Sequence, residues 1–300
     1  MKISAHHKAL GDTVEWWDGF KHYDAVYQAK VFTEEYSPDE NTCINADAVF
    51  CGGTGYGLEN KLPSEIEHLY PDYTLYPHHK EAYGFLTRGC PRSCAFCVVS
   101  QKEGRSSQRV ADLSDFWRGT KIIKLLDPNL LACQEHENLL SQLALSGAWI
   151  DFTQGLDIRL VASDNIRLLN KVKTEAIHFA WDNPAEDLTP HFQLFQQLTT
   201  CKDYRKKTVY VLTNYGSTHE QDLHRVYTLR ALGFTPFIMI YNKGAFVDSK
   251  GLLRPLQELL PKFTHHQIEH FIETHRLQRW VNNKRIFRST ESFSEFRGGY

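Results

Sequence analysis

Six short apolar runs, spaced roughly thirty residues apart and each ending in polar residues, constrain this 300-residue chain more than any other feature. They are Tyr83–Thr87, Ile122–Leu126, Trp149–Thr153, Ala176–Trp181, Thr208–Thr213 and Pro236–Tyr241. The segments between them read as helices, among them Gln134–Leu145, Ser163–Lys173, Pro190–Thr199 and Glu220–Leu232. Gly147 and Gly233 stand where helices are expected to end. Alternating strands and helices predict a parallel sheet covered by helices, hence an α/β fold. Six such units fit an open, partial (β/α)6 barrel.

Polar residues follow the runs in a repeated way. Asp127 and Asn129 come after the second, Gln154 and Asp157 after the third, Asp182 and Asn183 after the fourth, Asn214 after the fifth and Asn242 after the sixth. Asn and Asp start turns, which accounts for any one of them. Recurrence at five strand ends also suits a barrel enzyme, whose chemistry sits at the C-terminal ends of its strands.

The chain divides into three expected parts. Residues 1–78 read as a small Rossmann-like α/β unit: a helix over Lys2–Gly11, strands over Thr13–Trp17, Ala25–Phe32 and Ala48–Cys51, and then GGTGYG. It opens on a helix with no strand before it, so a first strand is expected to have been lost or to lie upstream of Met1. Pro71 and Pro77 mark a linker into the barrel of residues 79–250. Residues 251–300 form a helical extension in which Gln267–Arg276 is amphipathic. From residue 276 onward it carries six arginines and lysines against Glu291 and Glu295, with Trp280, Phe287, Phe293 and Phe296 interleaved. Such a stretch can meet nucleic acid. Apolar residues at helical spacing favour the alternative, a helix that closes the open side of the barrel.

A net charge of −2 gives no global attraction to nucleic acid, and no apolar run approaches the roughly 18 residues that a membrane span needs. The N-terminus has no signal-peptide core. A cytoplasmic protein is expected, and there seven cysteines point to metal or catalysis rather than to disulfides.

Three of the seven stand together. Cys90, Cys94 and Cys97 in GCPRSCAFC have the spacing C-x3-C-x2-C and directly follow the first apolar run. Three thiolates can hold three irons of a 4Fe–4S cube, leaving the fourth open. Zinc is the competing metal, but a zinc site takes a second pair of ligands and none lies nearby. Arg88 and Arg92 flank the loop and can offset the charge of a thiolate-bound cluster. Cys43, Cys51, Cys133 and Cys201 are scattered and read as buried structural thiols. His6 and His7 read as solvent-facing.

The run TRGCPRSCAFC, placed after a first barrel strand, resembles the cluster loop of the radical S-adenosylmethionine (radical SAM) superfamily. That resemblance implies a 4Fe–4S cluster on Cys90, Cys94 and Cys97 whose open iron binds SAM. It implies reductive cleavage to a 5′-deoxyadenosyl radical, hydrogen abstraction from a substrate, and an electron donor such as flavodoxin or ferredoxin. Phe96 matches the aromatic position that the family places near the SAM adenine. The family's usual GGE-like run is missing after the second strand, so Asp127 or Asn129 is expected to receive the SAM ammonium. Gln154 and Asp157 suit the ribose hydroxyls or the amino group. Arg159 suits the SAM carboxylate, or else a structural ion pair with Asp157 or a helix carboxylate.

The stretches KISAHHKALGDTVEWW, YDAVYQAKVFT and ADAVFCGGTGYG resemble a truncated cobalamin-binding domain, as found in one branch of the superfamily. The cobalt-binding DxHxxG loop of that domain is not in the chain, which argues against cobalamin. Two alternatives therefore stay open: a cobalamin-dependent radical SAM methyltransferase, and a non-enzymatic nucleic-acid-binding module stabilised by zinc or a cluster.

Overall fold

The structure is a computed structural model that describes residues 1–39 and 44–298. Cys43 lies outside the described residues. The chain forms two compact units, Met1–Glu135 and His136–Tyr300.

In the first unit, α1 (Lys2–Leu10) ends at Gly11, whose left-handed backbone (φ 94°) lets its N–H cap the helix. Strands β1 (Tyr23–Ala29) and β2 (Ala46–Gly52) pair in parallel, with Tyr27 opposite Phe50. The expected strand over Thr13–Trp17 does not form. That segment runs irregularly, and Trp16 Nε1 donates to the Leu75 carbonyl at 2.8 Å. A short helix, α2 (Ser64–Glu67), precedes the linker, which is packed rather than loose. Tyr73 accepts from Tyr83 N at 3.0 Å and donates to the Phe116 carbonyl at 2.8 Å.

The expected strand Tyr83–Thr87 is two strands. β3 (Glu81–Gly84) ends early, and β4 (Thr87–Arg88) turns away to pair antiparallel with β5 (Gln108–Arg109). A carboxylate drives the break: Leu86 and Thr87 donate their N–H groups to the Asp127 side chain rather than to a neighbouring strand. The chain between β4 and β5 includes the one-turn helix α3 (Val99–Lys102). β6 (Ile122–Leu125) then pairs with β3 in parallel, Ala82 opposite Ile123.

The second unit repeats helix and strand without interruption. α4 (His136–Ser146) leads to β7 (Trp149–Phe152), α5 (Ser163–Leu169) to β8 (Thr174–Ala180), α6 (Thr189–Leu198) to β9 (Lys207–Thr213), and α7 (His219–Ala231) to β10 (Thr235–Ile240). Each strand pairs in parallel with the next. Gly147 and Gly233 are left-handed, as expected of residues that end helices. The period of two along the strands decides what is buried. Phe179, Val209, Val211 and Ile238 are buried on one face, and the Phe179, Phe192, Phe195 and Phe234 rings meet edge to face there. Each such ring contributes roughly 1.5–3 kcal/mol of burial.

Helices α8 (Leu256–Leu259), α9 (His265–Asn282) and α10 (Lys284–Ser289) make the C-terminal segment helical, as expected. Their apolar residues are core: Trp280 is fully buried and Phe287, Phe293 and Phe296 nearly so. Arg276 lies over Phe293 and Arg230 over Phe287, so the aromatic residues of this basic segment face protein instead of solvent. α9 also covers β10. Asn282 accepts from Ile238 N at 2.8 Å and donates to the Ile238 carbonyl at 3.0 Å, replacing a neighbouring strand.

The chain is thus mixed α/β: among the described residues β1 pairs with β2 and β3 with β6 in parallel in the first unit, and β7 to β10 pair in parallel in the second. Among the described residues, no helix is long and apolar enough to cross a membrane.

Candidate functional site

Cys90, Cys94 and Cys97 lie in the loop between β4 and β5. The antiparallel pair closes this loop at its base, and three local features shape it. Gly89 is left-handed (φ 86°), and a Cβ there would lie 2.1 Å from the Ser106 carbonyl oxygen, so only glycine lets the two arms approach. Cys90 N donates to the Gly104 carbonyl at 3.1 Å. Ser93 takes a left-handed conformation (φ 49°), and the turn that follows returns Cys97 N to the Cys94 carbonyl at 3.0 Å.

All three cysteines are thiols of intermediate exposure. Two polar residues after β6 brace the loop. Asp127 Oδ1 accepts from Thr87 N at 2.5 Å, Thr87 Oγ1 at 2.7 Å and Leu86 N at 3.1 Å. Burial of this carboxyl outweighs those donors and pushes its pKa up to about 6. Asn129 is buried, and its Nδ2 donates to the Cys90 sulfur at 3.5 Å. Its Oδ1 is buried with no hydrogen-bond partner, leaving an acceptor beside the cysteine loop.

Arg88, expected to balance a cluster, is already neutralised. It pairs with Glu103 at 2.8 Å and Glu67 at 3.3 Å and lies over the Phe85 ring. Phe96 is half-buried within the loop.

Thiolates are the donor type that an iron–sulfur cluster takes. Three soft ligands share one short loop, and an amide N–H meets one sulfur, the kind of outer contact that tunes such clusters. Among the described residues, no three His, Cys, Asp or Glu side chains are gathered as a metal-holding group.

The second unit holds the other expected cofactor residues. Gln154 is exposed. Asp157 is buried, and its Oδ1 accepts from Arg159 N at 3.1 Å and Nε at 2.7 Å. Arg159 also pairs with Glu186 at 2.9 Å, which is the ion-pair arrangement anticipated as the alternative to a carboxylate contact. The remaining strand-end residues serve local structure. Asp182 accepts from Leu212 N and Asn183 from Ala185 N, while Asn214 and Asn242 take left-handed turns. Missed by sequence reasoning was Arg225 on α7, almost fully buried, which donates to the carbonyls of Trp181, Asp182 and Leu212 and pairs with Asp222. Helix periodicity makes it look like a surface residue, and only its i, i+3 acidic neighbour hinted otherwise.

The scattered cysteines divide. Cys133 is buried and Cys201 half-buried, its thiol pKa raised by burial, but Cys51 is exposed at the end of β2 rather than buried. His7 is half-buried. Its ring contacts Asp12 at 2.7 Å and the Tyr27 hydroxyl at 2.9 Å. In the glycine-rich loop after β2, a Cβ at Gly55 would lie 2.0 Å from the Phe32 carbonyl oxygen, so the chain's own backbone fills the space that this glycine opens.

No family model matches the chain, and no curated protein matches it.

Proposed function

We propose that this protein is a cytoplasmic radical SAM enzyme with a partial (β/α)6 barrel, whose 4Fe–4S cluster is held by Cys90, Cys94 and Cys97. The observation that carries the reading is the loop itself: three thiols in eight residues, closed at the base by β4 and β5, with the Asn129 amide on the first sulfur. When bound, the cluster supplies reductive cleavage of SAM, with electrons from a donor such as flavodoxin or ferredoxin.

The chain's own groups take the remaining roles. Gly89 and Ser93 set the backbone of the loop, and Asp127 fixes its first residues through the Thr87 and Leu86 N–H groups. Asn129 donates to one thiolate, and its Oδ1 is the acceptor available to an ammonium. Phe96 offers an aromatic ring within the same loop. Asp127 is committed to the backbone, so Asn129 is the better candidate for the SAM amino group. The resemblance assigns further SAM contacts to Gln154, Asp157 and Arg159, which lie in the second unit.

The test is anaerobic reconstitution with iron and sulfide. Close to four irons per chain and a reducible paramagnetic cluster are expected, and each of Cys90→Ala, Cys94→Ala and Cys97→Ala should abolish both. Tetrahedral zinc in protein purified without oxygen contradicts the reading.

A further inference from the structure

The edge of the second unit's sheet where β8 and β9 begin is strongly basic. Residues 170–175 and 199–207 lead into these two strands and carry six lysines and arginines against Glu175 and Asp203, in a chain whose net charge is −2. The two turns line a cavity of about 220 Å³, with Leu169, Val172 and Ile177 among its apolar residues and Thr199, Lys202 and Lys206 among its polar ones. That volume lies below the roughly 300–1,000 Å³ of a pocket for a drug-sized ligand, so the space suits a small ion.

Hydrogen bonding leaves positive charge here unspent. Lys202 Nζ donates to the Gln196 carbonyl at 3.2 Å, Lys206 Nζ to the Thr174 carbonyl at 2.7 Å and Lys207 Nζ to Gln196 Oε1 at 2.6 Å. All three acceptors are neutral, and each ammonium has three protons to give. Asp203, the one carboxylate among the lining residues, is paired with Arg205 at 2.6 Å. Lys207 is fully buried, where a cation calls for a counter-charge. Helices α5 and α6 end at Asn170 and Thr199, and their carbonyl ends supply about half a negative charge each. They offset roughly one of the three ammoniums. Thr199, only 4% exposed, accepts from Cys201 N at 3.1 Å, and its hydroxyl proton has no acceptor among the described residues.

The cavity thus gathers donors in excess of acceptors, against an apolar wall that strengthens their field. A single carboxylate would answer one ammonium. A phosphate carries nearly two negative charges at pH 7 and enough acceptor oxygens for both lysines and the hydroxyl. We propose that this cavity binds a phosphate group, as the free ion or as a small phosphomonoester, with Lys202, Lys206 and Thr199 Oγ1 as donors and Lys207 adding charge. The proposal is independent of the iron–sulfur reading and needs no cluster.

Cys201 lines the same cavity and reports on it, while the exposed Cys51 serves as an internal control. The test is the rate of iodoacetamide labelling of each cysteine in the full chain, read by peptide mass spectrometry, with inorganic phosphate as the probe. Phosphate should slow labelling of Cys201 saturably and leave Cys51 unchanged, and sodium chloride of equal ionic strength should do neither. Lys206→Gln should raise the phosphate concentration needed for half-protection about tenfold or more. Lys202→Gln, at an exposed position, should act in the same direction and replaces Lys206→Gln if that variant disturbs the fold by circular dichroism. Glucose 6-phosphate assigns the source: protection at lower concentration than inorganic phosphate means a phosphomonoester, and protection by inorganic phosphate alone means the free ion. No slowing beyond the chloride control, equal slowing at Cys51, or protection indifferent to both lysine variants overturns the proposal.

Discussion

Asp127 and Thr87 are joined by two hydrogen bonds to one oxygen: Oδ1 accepts from Thr87 N at 2.5 Å and from Thr87 Oγ1 at 2.7 Å. Both residues are buried, and Thr87 sits three positions before Cys90. A single carboxylate therefore ends β3, starts β4 and fixes the root of the cysteine loop.

That carboxylate gives the protein a measurable pH dependence. Burial raises its pKa from the ordinary carboxylate range to about 6. The folded state thus holds a proton that the unfolded state has released between about pH 4 and pH 6. This contribution to stability is full below about pH 4 and is lost as pH rises through about 6. The loss is on the order of 3 kcal/mol. Denaturant titrations of the wild type and Asp127→Asn across this window should show the difference between them changing by about that amount, then staying constant above pH 7.

Gly89→Ala should damage the loop rather than the core. The new methyl would meet the Ser106 carbonyl, at a backbone angle that L-residues resist. The strain is worth about 1–3 kcal/mol. Thiol labelling should be faster in this variant, with little change in far-UV circular dichroism.

Asn129→Ala removes the N–H on the Cys90 sulfur. Loss of such an outer contact typically weakens metal affinity about 10–100-fold. Chelator competition on the reconstituted protein should show a loss within that range, and the midpoint of cluster reduction should move to more negative potential.

Arg225→Leu tests the hidden cation. It strips the Trp181, Asp182 and Leu212 carbonyls of a donor and leaves Asp222 buried without its counter-charge. Burial alone already pushes the Asp222 carboxyl pKa up and the arginine's down. A destabilisation of about 3–5 kcal/mol is expected by urea unfolding. Adding Asp222→Leu should recover part of it.

What could be read from the sequence followed from periodicity. Runs such as Thr208–Thr213 alternate, and β9 forms over Lys207–Thr213 because that alternation matches the strand repeat. The Gly147 and Gly233 helix ends were legible for a similar local reason. The break at Phe85 was not, because it depends on Asp127, forty-one residues from Leu86 in sequence. The same holds for Thr13–Trp17, whose β-type composition is overridden by a long-range contact of Trp16 with Leu75. At the candidate site, the cysteines announced themselves by spacing. The commitments of Arg88 and Arg159 to carboxylates did not, since a guanidinium beside a functional loop looks the same in sequence whether it is free or paired.

A cluster on Cys90, Cys94 and Cys97 that cleaves SAM, as proposed above, has a direct chemical readout. The most direct measurement is anaerobic incubation of the reconstituted protein with SAM and dithionite, followed by chromatography for 5′-deoxyadenosine. 5′-Deoxyadenosine is expected with the wild type and not with Cys94→Ala. Its absence from wild type carrying an intact reducible cluster, or its persistence in the variant, would rule out SAM cleavage at this loop.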